Sequence, residues 1–147
     1  MAFMSLVLVM STLSCSGKQP SSLGVSDGEL APCPSSPNCV SSDATDPEHR
    51  VEPFLLAGDP ADAWPVISEE VARLPRTTLV DQTTSYLHAE CASAVFRFVD
   101  DLELQLRAAS NVVAIRSASR VGRSDLGVNR RRVERLREAL RRRGVIR

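Results

Sequence analysis

Between residues 77 and 117 four strand candidates follow one another with only short turns between them. They fall at residues 77–80, 86–91, 96–106 and 112–117. In the second, Tyr86, His88 and Glu90 share a face; in the third, Leu102, Leu104 and Leu106 alternate with Asp101, Glu103 and Gln105. Side chains of a strand point to opposite faces in turn, so each such run has one apolar and one polar side. Consecutive strands with short connections favour antiparallel pairing. A sheet of this kind needs something apolar against one face.

Two helical patterns supply it. Asp59-Pro60 offers an N-cap followed by Pro at the first helical position, with Asp62 placed to meet the dipole. Trp64, Ile67, Val71 and Leu74 then recur on one helical face, and Pro65 either kinks this helix or moves its start. The chain closes with a helix over about residues 129–143, striped by Val133, Leu136 and Leu140, with Gly144 as its stop. A short strand at residues 50–56 carries Pro53, which suits a sheet edge. The expected fold is α+β: a single domain with an antiparallel sheet of about five strands covered by two helices. The order β-α-β-β-β-β-α matches a TBP-like arrangement, with other helix-on-sheet folds still open.

The start of the chain bears on compartment. Residues 2–13 form an uncharged, mostly apolar run of twelve, too short to span a bilayer core of about 30 Å as a helix. With Ser14-Cys15 after it, the run reads as an export signal of lipoprotein type, in which Cys15 is acylated and becomes the mature N-terminus. An ordinary secretory signal and a cytoplasmic location are the alternatives. Residues 16–31 read as a flexible tether, and the globular domain as residues 32–147. Cys33 and Cys39, six apart in "CPSSPNC", suit a small disulfide loop in an oxidising compartment. Zinc is the other reading of that pair, but His49 and His88 are isolated and no second ligand pair stands close by, so no metal is expected. Cys91 reads as a buried free thiol.

Net charge is zero, yet residues 1–104 carry five Lys/Arg against fifteen Asp/Glu and residues 105–147 carry thirteen Arg against three acids. Such asymmetry marks a nucleic-acid or membrane-facing patch, or a basic helix beside an acidic surface of the same domain. Scarce aromatics and the export leader speak against nucleic acid. The basic face fits anionic lipid headgroups better, with the membrane as partner through a lipid anchor.

The segments "CPSSPNCVSS", "YLHAE", "FVDDLEL" and "RSASRVGRSDLGVNRRR" resemble, in order and spacing, the bacterial and plastid family known as domain of unknown function 1499. The resemblance covers roughly residues 32–143 and implies no established activity; its members often carry a lipoprotein or other export leader. Its pattern falls on Cys33, Pro34, Pro37, Asn38, Cys39, Asp100, Asp101, Arg116, Ser117, Ser119, Arg120, Gly122, Asp125, Gly127, Asn129 and Arg132. This chain departs from it at Arg123, where the resemblance implies an aromatic, and at Cys91, where it implies an ordinary hydrophobe.

The loop at residues 117–132 gathers most of these positions. Asn129, or Asp125 if the helix starts sooner, can cap the last helix, whose free N–H groups lie beside several arginines. Arg116, Ser117, Ser119, Arg120, Asp125, Asn129 and Arg132 are therefore the candidate anion site, for phosphate, carboxylate or sulfate. The same groups could instead pair with one another, Arg120 with Asp125 or Asp101. There is no nucleophile elbow, Walker loop or dinucleotide fingerprint, so no cofactor and no catalytic residue is assigned. The chain reads as an exported, lipid-anchored binding or scaffold module of the cell envelope. The alternative is an envelope hydrolase using the same Ser/Arg/Asp loop.

Overall fold

The structure, a computed structural model, describes residues 17–147. Residues 2–13, expected to form an export signal, and Cys15 lie outside the described residues. Eight strands and two α-helices follow in the order β1 (Val25–Ser26), β2 (Glu29–Leu30), β3 (Cys39–Ser41), β4 (Phe54–Leu55), α1 (Pro60–Ala72), β5 (Thr77–Gln82), β6 (Tyr86–Ala92), β7 (Val99–Arg107), β8 (Val112–Ser119) and α2 (Val128–Arg142). β1 and β2 make a small hairpin; the other six form one antiparallel sheet ordered β3-β8-β7-β6-β5, with β4 paired to β8 beside β3. The architecture is α+β, as expected.

The strand count is larger than the expected five or so. β3 escaped because residues 39–41 sit in a stretch rich in Ser and Pro, and their partners are far away in sequence: Val40 faces Ser117 and Ser41 faces Arg116. The 50–56 candidate shrinks to Phe54–Leu55, since Pro53 has no N–H to give a ladder. The long third candidate loses residues 96–98, which form a loop before Val99.

α1 starts as its sequence predicts. The Asp59 carboxylate accepts from the Ala61 N–H at 2.7 Å, and Pro60 takes the first turn. Pro65 stays inside the helix, where it removes one intrahelical hydrogen bond. The buried stripe of Trp64, Ile67 and Val71 meets Val133, Leu136 and Leu140 of α2 over the apolar sheet face, formed by Leu87, Leu102, Leu104, Val113 and Ile115. Each such side chain, fully buried, contributes roughly 1.5–3 kcal/mol.

The opposite sheet face is covered over β7 and β8. Gly24 donates its N–H to Glu103 at 2.7 Å, and Gln105 donates to the Gly28 carbonyl at 3.1 Å. The stretch read as a flexible tether thus carries the β1–β2 hairpin and packs over the polar face, and Leu30 is buried. Below that roof lie Asp101 and Glu103, 1 % and 0 % exposed. Carboxylates remain buried only with partners close by.

Candidate functional site

The alternation of β8 splits the expected anion site in two. Ser117 pairs with Val40 and faces the helices, whereas Arg116 and Arg120 hydrogen-bond to carboxylates of the roofed face. Ser119, Asp125, Asn129 and Arg132 join Ser117 on the helix side.

On the helix side the groups satisfy one another. The Ser117 hydroxyl donates to Asn129 Oδ1 at 2.6 Å, and Asn129 Nδ2 faces the Asn38 carbonyl, Ser119 Oγ and Asp125 Oδ2. Arg132 donates to Ser117 Oγ at 2.9 Å and to Asp100 at 2.6 Å. Asp125 accepts the N–H groups of Gly127 and Asn129, at 2.9 and 2.8 Å. Gly127 stands at φ 75°, a conformation open to glycine, and starts α2 without a side-chain cap of its own. Asp125 is thus the anion that occupies the helix N-terminus, and Asn129 is the buried knot that ties β3, β8 and α2 together.

The roofed face carries a second network. His88 Nε2 lies 2.7 Å from Asp101, and Arg120 grips the same carboxylate through Nε and Nη2 while also reaching Glu90. Burial pushes the Asp101 carboxyl up, but the hydrogen bonds from Arg120 and His88 outweigh it and hold the group below the usual carboxylate range. The hydrogen bond to Asp101 in turn raises the Arg120 guanidinium. Glu103 accepts from Tyr86 Oη at 2.8 Å, from the Gly24 N–H and from Arg116 Nη1 at 2.9 Å. Burial, followed by the Glu103 charge, raises the Tyr86 hydroxyl, which stays protonated and donating.

One donor is left over. Arg116 Nε is buried and finds no acceptor among the described residues. Arg116 lines a cleft of about 450 Å³ between the sheet and the roof, walled also by Pro20, Pro32, Pro34, Asp101, Ala118, Ser119 and Arg120. The Cys33–Cys39 disulfide, with Cα atoms 5.6 Å apart, closes the loop that forms part of this roof. A buried polar group without a partner costs on the order of 1–3 kcal/mol.

The sequence did not single out Tyr86, Glu103 or residues 20–32 as parts of a site. Their signal was the alternation that put Tyr86, His88 and Glu90, and Asp101 and Glu103, on one face; what hid them was a covering segment with no apolar pattern of its own. A Ser–His–Asp arrangement is not assembled from Ser117 or Ser119, because both hydroxyls join the helix-side network while His88 pairs with Asp101 beneath the roof.

A second hollow lies at the start of α2, between Arg76, Cys91, Val128, Arg131, Arg132 and Arg135. Cys91 is the free, buried thiol that its strand position implied, and burial pushes its titration up, away from a reactive thiolate.

A family model described as Protein of unknown function (DUF1499) matches residues 29–140. No curated protein and no solved structure matches the chain.

Proposed function

The chain belongs to the family Protein of unknown function (DUF1499), and on that premise we propose that it is an exported, lipid-anchored binding module of the cell envelope that takes a small anion beside Arg116. Arg116 carries the reading: its buried Nε has no partner among the described residues, and the residue lines the cleft. A carboxylate or phosphate oxygen is the acceptor such a group recognises best. Of the expected site residues, Arg116, Ser119 and Arg120 line this cleft, while Ser117, Asp125, Asn129 and Arg132 hold the loop from behind.

Export is supported by the apolar leader ending at Cys15 and by the Cys33–Cys39 disulfide, a bond that persists in oxidising compartments. The succession β4, α1, β5 to β8, α2, with β4, β8, β7, β6 and β5 neighbouring in space, is read as TBP-like. The test is thermal unfolding of the full chain with phosphate varied at constant ionic strength, wild type against Arg116→Gln. Phosphate is expected to raise the wild-type Tm and leave the variant's unchanged. Equal increments in the two proteins, or none in the wild type, would reject the site, wherever the variant's own Tm lies.

A further inference from the structure

The β6–β7 loop (residues 93–98) and the β8–α2 loop (residues 120–127) lie side by side at one end of the sheet. Ala92 pairs with Val99, and Arg120 donates its N–H to the Val99 carbonyl at 3.2 Å. Nine large apolar side chains are exposed among the described residues, and six of them are here: Val95, Phe96, Phe98, Val121, Leu126 and Val128. Leu126 is 84 % exposed, Val95 78 % and Phe96 69 %. The Phe96 and Phe98 rings stack on each other, centroids 5.5 Å apart. A lone exposed leucine needs no explanation, but six such groups around one tip mark a contact surface.

The exposed charge at this tip is positive. Arg97 and Arg123 are exposed in the two loops, and Arg131 and Arg135 follow on the first turns of α2. The nearby acids are engaged: Asp125 on the α2 amides, Asp100 on Arg132 and Glu90 on Arg120. Glu134, next along α2, pairs with Arg137. Apolar side chains ringed by arginine fit a bilayer interface: the rings enter the acyl boundary and the guanidinium groups meet phosphates.

The path of the chain agrees. A Cβ placed on Gly17 would lie 3.1 Å from Arg120 Cβ and 3.2 Å from Val121 Cγ1, so residue 17 sits against the base of this tip. Cys15 is two residues earlier, at most roughly 7 Å further along the chain. From these three observations we infer that the tip is a membrane-docking surface that seats the domain on a bilayer rich in anionic headgroups; the inference extends the lipid-anchored reading above. Docked in this way, the domain rests against the bilayer through its loops and does not swing freely on an acyl tether.

The test uses the full chain carrying Phe96→Trp, with vesicles of phosphatidylglycerol and phosphatidylcholine in which part of the lipid is brominated along its acyl chains. Trp64 is buried in the core, so the wild type supplies the background emission. The introduced indole is expected to shift to the blue and be quenched. Adding Arg97→Gln and Arg123→Gln should weaken the apparent affinity roughly thirtyfold, and pure phosphatidylcholine should abolish the quenching. Melting curves confirm that each variant is folded. An unquenched indole in a chain that floats with the vesicles overturns the docking surface, and so does a folded chain that does not float. The anchor is read separately, from the mass of the mature chain at Cys15. Quenching that persists with Cys15→Ser upholds docking even where the anchor fails, and acylation without quenching does the reverse.

Discussion

Arg120 closes on Asp101 as a two-pronged pair, its Nε 2.9 Å from Oδ2 and its Nη2 2.7 Å from Oδ1. His88 meets the same carboxylate, and Glu90 shares the Arg120 Nη2 group. A single guanidinium thus balances two acids where the N-terminal segment crosses the sheet.

Removing that guanidinium leaves Asp101 buried beside His88 alone. Arg120→Ala is expected to lower unfolding stability by about 3–5 kcal/mol, the cost of opening a buried pair on one side. Chemical denaturation measures it. A loss below about 1 kcal/mol, typical of an exposed pair, would contradict the network.

The pH dependence follows from the same carboxyl. The folded pKa of Asp101 lies below its unfolded value. Its contribution to stability is therefore complete above the unfolded pKa of about 4 and is lost as pH falls through the lower folded pKa. Wild type and Asp101→Asn should differ most near neutrality and converge in acid. Urea midpoints taken from neutral pH down to about pH 3 would show the convergence, and a gap that widens in acid would oppose it.

The helix-side knot separates two kinds of cost. Asp125→Ala removes a helix cap and should cost about 1 kcal/mol. Asn129→Ala deprives Ser117, Ser119, Arg132 and the Asn38 carbonyl of a partner at once. At about 1–3 kcal/mol for each buried group left unpaired, it should cost clearly more than the cap. Calorimetry on the two variants ranks them, and the reverse order would show that Asn129 is not the knot.

The six-residue spacing of the disulfide closes a short loop, for which chain entropy predicts about 2 kcal/mol. The double variant Cys33→Ser, Cys39→Ser should lose about that much in urea unfolding and keep its fold. An unchanged midpoint would mean that the loop is held by its prolines and Asn38 alone.

Both helices and the run β5 to β8 were legible because their signals are local: capping at Asp59, stripes at Trp64 and Val133, and period-two alternation through Leu102 and Leu104. β3 was not legible, since Val40 acquires strand character only from a partner 77 residues away at Ser117. The candidate site was half legible. Ser117, Asn129 and Arg132 do meet, and Arg120 does pair with Asp101, one of the two partners named for it. Composition hid the roof, because a stretch rich in Ser and Gly gives no apolar pattern, and Gly24 is held by its backbone N–H. A glycine amide on a buried glutamate leaves no trace that sequence periodicity can detect.

The anion cleft is tested most directly by the arginine Nε–H resonances of the full chain under a phosphate titration at constant ionic strength. The Arg116 Nε–H signal should shift and saturate, while that of Arg120, already held by Asp101, stays in place. A stationary Arg116 signal through the titration, or equal drift of all the arginines, would contradict the account.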